Sequence, residues 1–227
     1  MQEVRKPVTA AIVLAAGTSS RMGGRNKLLL EVGGKPLVRR VVRTALEAGL
    51  EPVVVVVGHQ AGRVRKALDR LGCRIVDNPH YRGGMTTSLR AGVAALPEEA
   101  PAAVMILADM PRVTAGMLAG LTAAHAANPA RKPLLVLSDY GGVLAPPTLF
   151  DRALFPELLA LPDDRCPRSV VKRHRDTAAV LRWPAAALAD LDRPEDLPAA
   201  GYRHRPRVRG PRARPPRPPT PPPKLLR

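Results

Sequence analysis

Five consecutive valines, Val53–Val57, leave this chain few ways to fold. β-Branched side chains favour extended backbone, and a run with no polar alternate position needs cover on both faces. Cover on both faces means helices above and below, which is the setting of a parallel strand inside an α/β sheet. Ala10–Leu14 and Ala103–Ala108 are further apolar runs of strand length, and Arg74–Asp77 is a shorter strand. Between them lie helical stretches. Leu37, Val41, Ala45 and Leu46 share one face of a helix that Pro36 opens and Gly49 ends. Val64, Leu68 and Leu71 mark a second, closed by Gly72; Met85–Leu96 is a third, and Thr114 caps a fourth running to about Ala126. This alternation predicts a doubly wound, mostly parallel, Rossmann-like α/β sheet.

In such a sheet ligands bind beyond the carboxyl ends of the strands. The first of those ends opens into Leu14-Ala-Ala-Gly-Thr-Ser-Ser-Arg-Met-Gly-Gly-Arg-Asn-Lys27. Small residues there let backbone amides approach an anion, and Arg21, Arg25 and Lys27 add full positive charges, which together suit a polyphosphate. The stretch has neither the Gly-Lys-Ser/Thr of a Walker A loop nor Gly-x-Gly-x-x-Gly. Gly58, the loop Asn78–Gly84 and Asp109 fall at the same edge. Asp109, in Ile-Leu-Ala-Asp-Met-Pro directly after a buried strand, is a candidate ligand for Mg²⁺, which takes one or two carboxylates plus phosphate oxygens.

The pattern Leu-x-x-Gly-x-x-x-Arg-Met-Gly-x-x-x-Lys resembles the opening signature of MobA-like nucleotidyltransferases, and within them the molybdenum cofactor cytidylyltransferases. Asn78-Pro-x-Tyr-x-x-Gly-Met-x-x-Ser-Leu-Arg-Ala-Gly92 is a second match, and Asp190-Leu-Asp-Arg-Pro-Glu-Asp196 resembles the family's Asp-Ile-Asp-Thr-Pro-Glu-Asp. The resemblance implies a catalytic set of Arg21, Lys27 and Asp109. It implies nucleotide binding by Leu14, Ala15, Ala16, Gly17, Arg21, Lys27, Asn78, Gly84 and Ser88, and a metal site of Asp109 and Asp192, with Asp190 as the alternative second ligand. Relatives that use cytidine carry Ala-Ala before the glycine, so Ala16 implies CTP as donor. The implied reaction moves CMP from CTP to the terminal phosphate of molybdopterin, with Mg²⁺ as cofactor and pyrophosphate released. A molybdoenzyme or its maturation chaperone would receive the product. In the acceptor half the likeness departs: Gly141-Gly-Val-Leu-Ala-Pro-Pro147 lacks the family's Gly-His-Pro histidine, and Pro162-Asp-Asp-Arg-Cys-Pro-Arg168 replaces Gly-Asp-x-Gly-Ala-Arg. Another phosphorylated acceptor, or GTP as donor, therefore stays open.

The remaining expectations are coarser. Leu28–Val32 reads as a short extended piece before Gly33-Gly34. Leu134–Leu137 reads as a strand, Gly142–Pro147 as extended, Phe150–Leu161 as a helix, and Val170–His174 as part of a short helix. Ala178–Trp183 is a late strand, and Pro194–Leu197 starts a last helix. One nucleotidyltransferase domain spans 9–200. The 227-residue chain has a formal charge of +17, and nine Lys and Arg but no acid fall within 201–227. Residues 203–227, of which 17 of 25 are Arg or Pro, are expected to be disordered. A basic tail also fits nucleic acid, the rival reading; only 3% of the chain is aromatic, which argues against base stacking. Cys73 and Cys166 form no Cys-x-x-Cys, which argues against zinc or a disulfide framework and for a reducing cytoplasm. No run approaches the roughly 20 apolar residues of a membrane span, and no signal peptide is expected.

Overall fold

The computed structural model describes residues 8–19, 25–127 and 134–188. Arg21, Asp190, Asp192, the helix expected at Pro194–Leu197 and the tail 203–227 lie outside the described residues. In chain order the elements are β1 (Ala10–Ala15), β2 (Glu31–Val32), β3 (Lys35–Pro36), α1 (Leu37–Glu47), β4 (Val53–Val57), α2 (Ala61–Ala67), β5 (Arg74–Asp77), α3 (Met85–Ala94), β6 (Ala102–Leu107), α4 (Ala115–Ala126), β7 (Leu135–Tyr140), β8 (Leu144–Asp151), α5 (Phe155–Leu159), α6 (Arg168–Arg173) and β9 (Ala179–Trp183).

Seven strands form one sheet in the order β5-β4-β1-β6-β8-β7-β9. β1 pairs in parallel with β4 and β6, β4 with β5, and β7 with β9. β8 alone runs the other way, antiparallel to both β6 and β7. The valine run behaves as its composition requires. Val53, Val55 and Val57 enter one core with α1 and α4, while Val54 and Val56 enter the other with α3, α5 and α6. All five are at most 2% exposed, so each contributes roughly 2 kcal/mol of burial. Thr114 caps α4 as expected, its hydroxyl accepting from the Met117 amide at 3.2 Å.

The second half differs in detail from the sequence reading. The helix expected over Phe150–Leu161 is confined to Phe155–Leu159, and Phe150 and Asp151 finish β8. Leu149, Phe150, Leu154 and Leu158 suit either a strand followed by a helix or one helix. Asp151 resolves the tie: one carboxylate oxygen accepts from the Ala153 amide at 2.9 Å, capping the turn that leads into α5. Its other oxygen meets His125 Nε2 of α4 at 2.7 Å, a buried pair for a histidine to which the sequence assigned no partner. The expected extended piece Leu28–Val32 divides into a single helical turn, Lys27–Leu29, and the β2–β3 hairpin.

Candidate active site

Four strand ends converge at one edge. Backbone bonds carry the ladders past the strands: the Ala108 amide donates to Leu14 O at 3.1 Å, His59 to Ala16 O at 3.2 Å and Asn78 to Val57 O at 2.8 Å. A cavity of about 490 Å³ opens there, walled by the loop after β1, the turn 81–83, the start of α3 and the end of β6.

Lys27 and Asp109 both line this cavity and touch each other, Nζ against Oδ2, with side chains 14% and 17% exposed. Local bonds hold the lysine. Its amide donates to Ser19 Oγ at 3.1 Å, and Asn26, itself buried, caps the turn Lys27–Leu29 by accepting from the Leu28 amide at 3.0 Å. Asp109 stands two residues past β6, so the middle of the sheet anchors it.

Asn78 sits at the end of β5 and is 3% exposed. Its Nδ2 donates to Thr87 Oγ1 and Ser88 Oγ, both at 2.9 Å, and its Oδ1 accepts from the His80 amide at 2.9 Å. Its two amide hydrogens thus tie the loop 78–84 to the first turns of α3, and its oxygen braces the loop itself. Gly84, at φ +101°, begins α3 in a conformation that side chains rarely adopt. Gly84 and Ser88 line the cavity, whereas Asn78 stands behind it.

Of the other expected nucleotide contacts, Leu14, Ala16, Gly17 and Lys27 line the cavity. The Ala15 side chain packs into the core with Val13 and Val57, off the cavity wall. A Cβ at Gly17 would meet no protein atom within 4 Å, so only the open cavity lies beside it. Two wall residues, Tyr81 and Arg82, were given no role by the sequence, although Tyr81 stands in the Asn78–Gly92 motif. The Arg82 guanidinium lies 5.8 Å from the centre of the Tyr81 ring. Gly58 was one available signal. A side chain there would fall 2.6 Å from Tyr81 Cβ and 3.0 Å from Ala16 Cβ, so a bare backbone lets the tyrosine close against the β1 loop.

The set fits a hard divalent cation in part. Asp109 is the carboxylate among the described residues lining the cavity, and Lys27, Gly17 and Ser19 surround it with groups suited to phosphate oxygens. No cluster of three or more His, Cys, Asp or Glu that could hold a metal occurs among the described residues. Such a cation would therefore draw its other ligands from the substrate, from water or from the stretch 189–227. Among the described residues no helix is long and apolar enough to cross a membrane.

Comparison with known proteins agrees with this geometry. A family model described as the MobA-like NTP transferase domain matches residues 11–178. Bifunctional protein GlmU of Clavibacter sepedonicus is 36% identical over 140 residues, which are 60% of this chain and 28% of that protein. The chain thus spans well under half the length of that curated relative. The crystal structure of Rv0371c from Mycobacterium tuberculosis H37Rv superposes with a TM-score of 0.74 at 25% identity, covering 86% of this chain and 97% of that one. The structure of Rv0371C in complex with manganese gives 0.68 at 24% identity, with 86% and 98% covered, a likeness of fold. A phosphate-suited loop, a lysine–aspartate pair at one sheet edge and a match over most of the chain point the same way: the chain belongs to the MobA-like NTP transferase domain family.

Proposed function

We propose that this chain is a nucleotidyltransferase that moves CMP from CTP to the terminal phosphate of a molybdopterin-type acceptor and releases pyrophosphate. The observation that carries the reading is the Lys27–Asp109 pair facing a cavity walled by the glycine-containing β1 loop. Fixed positive and negative groups side by side at the carboxyl ends of parallel strands suit a triphosphate with its counter-cation.

The roles follow from position. Leu14, Ala16, Gly17, Gly84 and Ser88 form the nucleoside wall, and Tyr81 closes its back. Asn78 is a positioning residue that fixes Gly84 and Ser88. Lys27 binds the triphosphate and offsets the charge that builds on the departing pyrophosphate; Arg21 would join it from outside the described residues. An acceptor phosphate oxygen attacks the α-phosphorus in line, a P–O bond forms, and the bond to pyrophosphate breaks. No side chain becomes covalently attached. Asp109 would hold Mg²⁺, with Asp192 as second ligand, and the ion would supply charge neutralisation at the phosphates. The manganese complex of a protein of this fold supports a divalent cation. Ala16 supports CTP through the resemblance, since relatives that use cytidine carry Ala-Ala before the glycine. A cytoplasmic setting accords with two free cysteines.

The deciding experiment measures pyrophosphate release from each of the four NTPs, with and without molybdopterin. Release from CTP alone, dependent on the acceptor and lost in Asp109→Ala, is the expected result. Release from none of the four ends the proposal.

A further inference from the structure

Arg82 lines the nucleotide cavity but belongs to none of the pairs that hold its walls together. It lies in the turn Tyr81–Gly83, which the Gly83 amide closes by donating to His80 O at 2.9 Å and which Asn78 anchors through the His80 amide. Its guanidinium stands 5.8 Å from the centre of the Tyr81 ring, and attraction to the ring face orients the planar fork. The ring is itself held in place. His59 packs against it with ring centres 6.2 Å apart and planes at 48°, and the bare Gly58 backbone leaves it room.

Among the described residues Arg82 makes no ion pair. Asp109, the carboxylate of the same cavity, is in contact with Lys27. Asp163 stands 3.9 Å from the point where a Gly83 side chain would begin, but it is matched to Arg90 at 2.6 Å. Three further cations, Arg168, Lys172 and Arg175, line a second cavity of about 530 Å³ that shares Met85 and Leu107 with the first. The two cations of the described lining of the first cavity therefore have separate stations. Lys27 stands with Asp109 after the β1 loop, and Arg82 stands on the loop 78–84 beside Gly84 and Ser88.

We propose that Arg82 reads the base of the bound nucleotide and selects cytosine over uracil. The proposal rests on the nucleotidyl-transfer reading of this cavity and deepens its donor preference. A guanidinium offers two parallel N–H donors and no acceptor. Cytosine presents two adjacent acceptors, N3 and O2, that match such a fork. Uracil places an N–H between its two carbonyls, so one donor of the fork would meet another donor, and adenine alternates in the same way. A donor left facing a donor loses its bond to water and gains nothing. Guanine also shows an adjacent acceptor pair, O6 and N7, so the fork separates cytosine and guanine from uracil and adenine. The choice between those two bases is left to Ala16.

The test is a binding titration of the full chain with CTP and with UTP, each with Mg²⁺. CTP is expected to bind about tenfold more tightly, the discrimination one bidentate pair provides. Arg82→Met keeps the stem and drops both donors; it is expected to bring the two nucleotides within about threefold through loss of CTP affinity. Arg82→Gln presents one donor and one acceptor, the pattern of the uracil edge, and is expected to place UTP level with CTP or above it. Arg82 is exposed, so neither variant removes core packing. Equal affinities in the unaltered chain, a CTP preference that survives Arg82→Met, or an equal loss of both nucleotides, the mark of a charge that meets only phosphate, would each overturn the proposal. The titration needs no turnover, so the two readings fail separately: a chain that released no pyrophosphate could still prefer CTP through Arg82, and an active transferase could prefer it without Arg82.

Discussion

Asp109 and Lys27 illustrate how much a single charge can decide. Each is mostly buried and each is the other's neighbour in the cavity. Asp109→Asn keeps the shape and removes the charge. Pyrophosphate release from CTP is expected to fall by about 10²–10³, the range found when one preorganised electrostatic group is lost, while the circular dichroism melt keeps its cooperative form. Unchanged release would remove Asp109 from the chemistry. Ala16 acts on selectivity instead. Its methyl lies beside Gly58 and Tyr81 at the cavity wall. Ala16→Gly is expected to raise the GTP-to-CTP ratio of kcat/KM by about tenfold or more, since one methyl of steric room is worth roughly 1–3 kcal/mol. A ratio that stays put would shift base choice elsewhere, Tyr81 and Arg82 being the next candidates. Asp109 was legible because it sits at a strand end, where chain pattern and chemistry coincide, while Lys27 and Ala16 were legible through the motif that carries them. Tyr81 was not: its place depends on the absent side chain of Gly58, a contact between two loops that no periodicity records.

At the scale of elements, α3 connects the two cavities. Asn78 holds its first turns, and its loss would leave the Ser88 hydroxyl, the Thr87 hydroxyl and the His80 amide short of a partner. Asn78→Ala is expected to cost about 1–3 kcal/mol in urea unfolding and to raise KM for CTP more than it lowers kcat. A change in kcat alone would contradict a positioning role. The His125–Asp151 pair joins α4 to the end of β8 well inside the molecule. His125→Ala is expected to lower stability by about 2–3 kcal/mol with turnover per folded molecule unchanged. Here the sequence was least informative. A lone histidine in an apolar helix announces no partner, and the aspartate lay inside what reads as a helix. The strand run Leu144–Asp151 was legible only as far as Pro147, where the expected extended piece ended, because the apolar residues after the prolines satisfy two periods at once. The parallel half posed no such difficulty: Val53–Val57 admit one conformation and one environment.

For the molecule as a whole, charge is unevenly placed. Nine Lys and Arg fall within 201–227, outside both the family match and the described residues. Deleting 203–227 is expected to leave CTP turnover within about twofold, with any retention on immobilised RNA or DNA lost, because such retention is largely electrostatic and salt-dependent. A large loss of turnover would instead place the tail in the reaction. Such a separation between appendage and enzyme accords with a fold whose described part already carries both cavities.

The reversed strand has a practical corollary. Because β8 alone opposes its neighbours, its amino end and the tight Gly141–Gly142 corner joining it to β7 stand at the same rim as the phosphate loop, yet only on the far side of β6. Grafting a longer corner from a relative would remodel one compartment and spare the other. On the proposed function, a longer corner would alter the far side of β6 and leave the Lys27–Asp109 side in place.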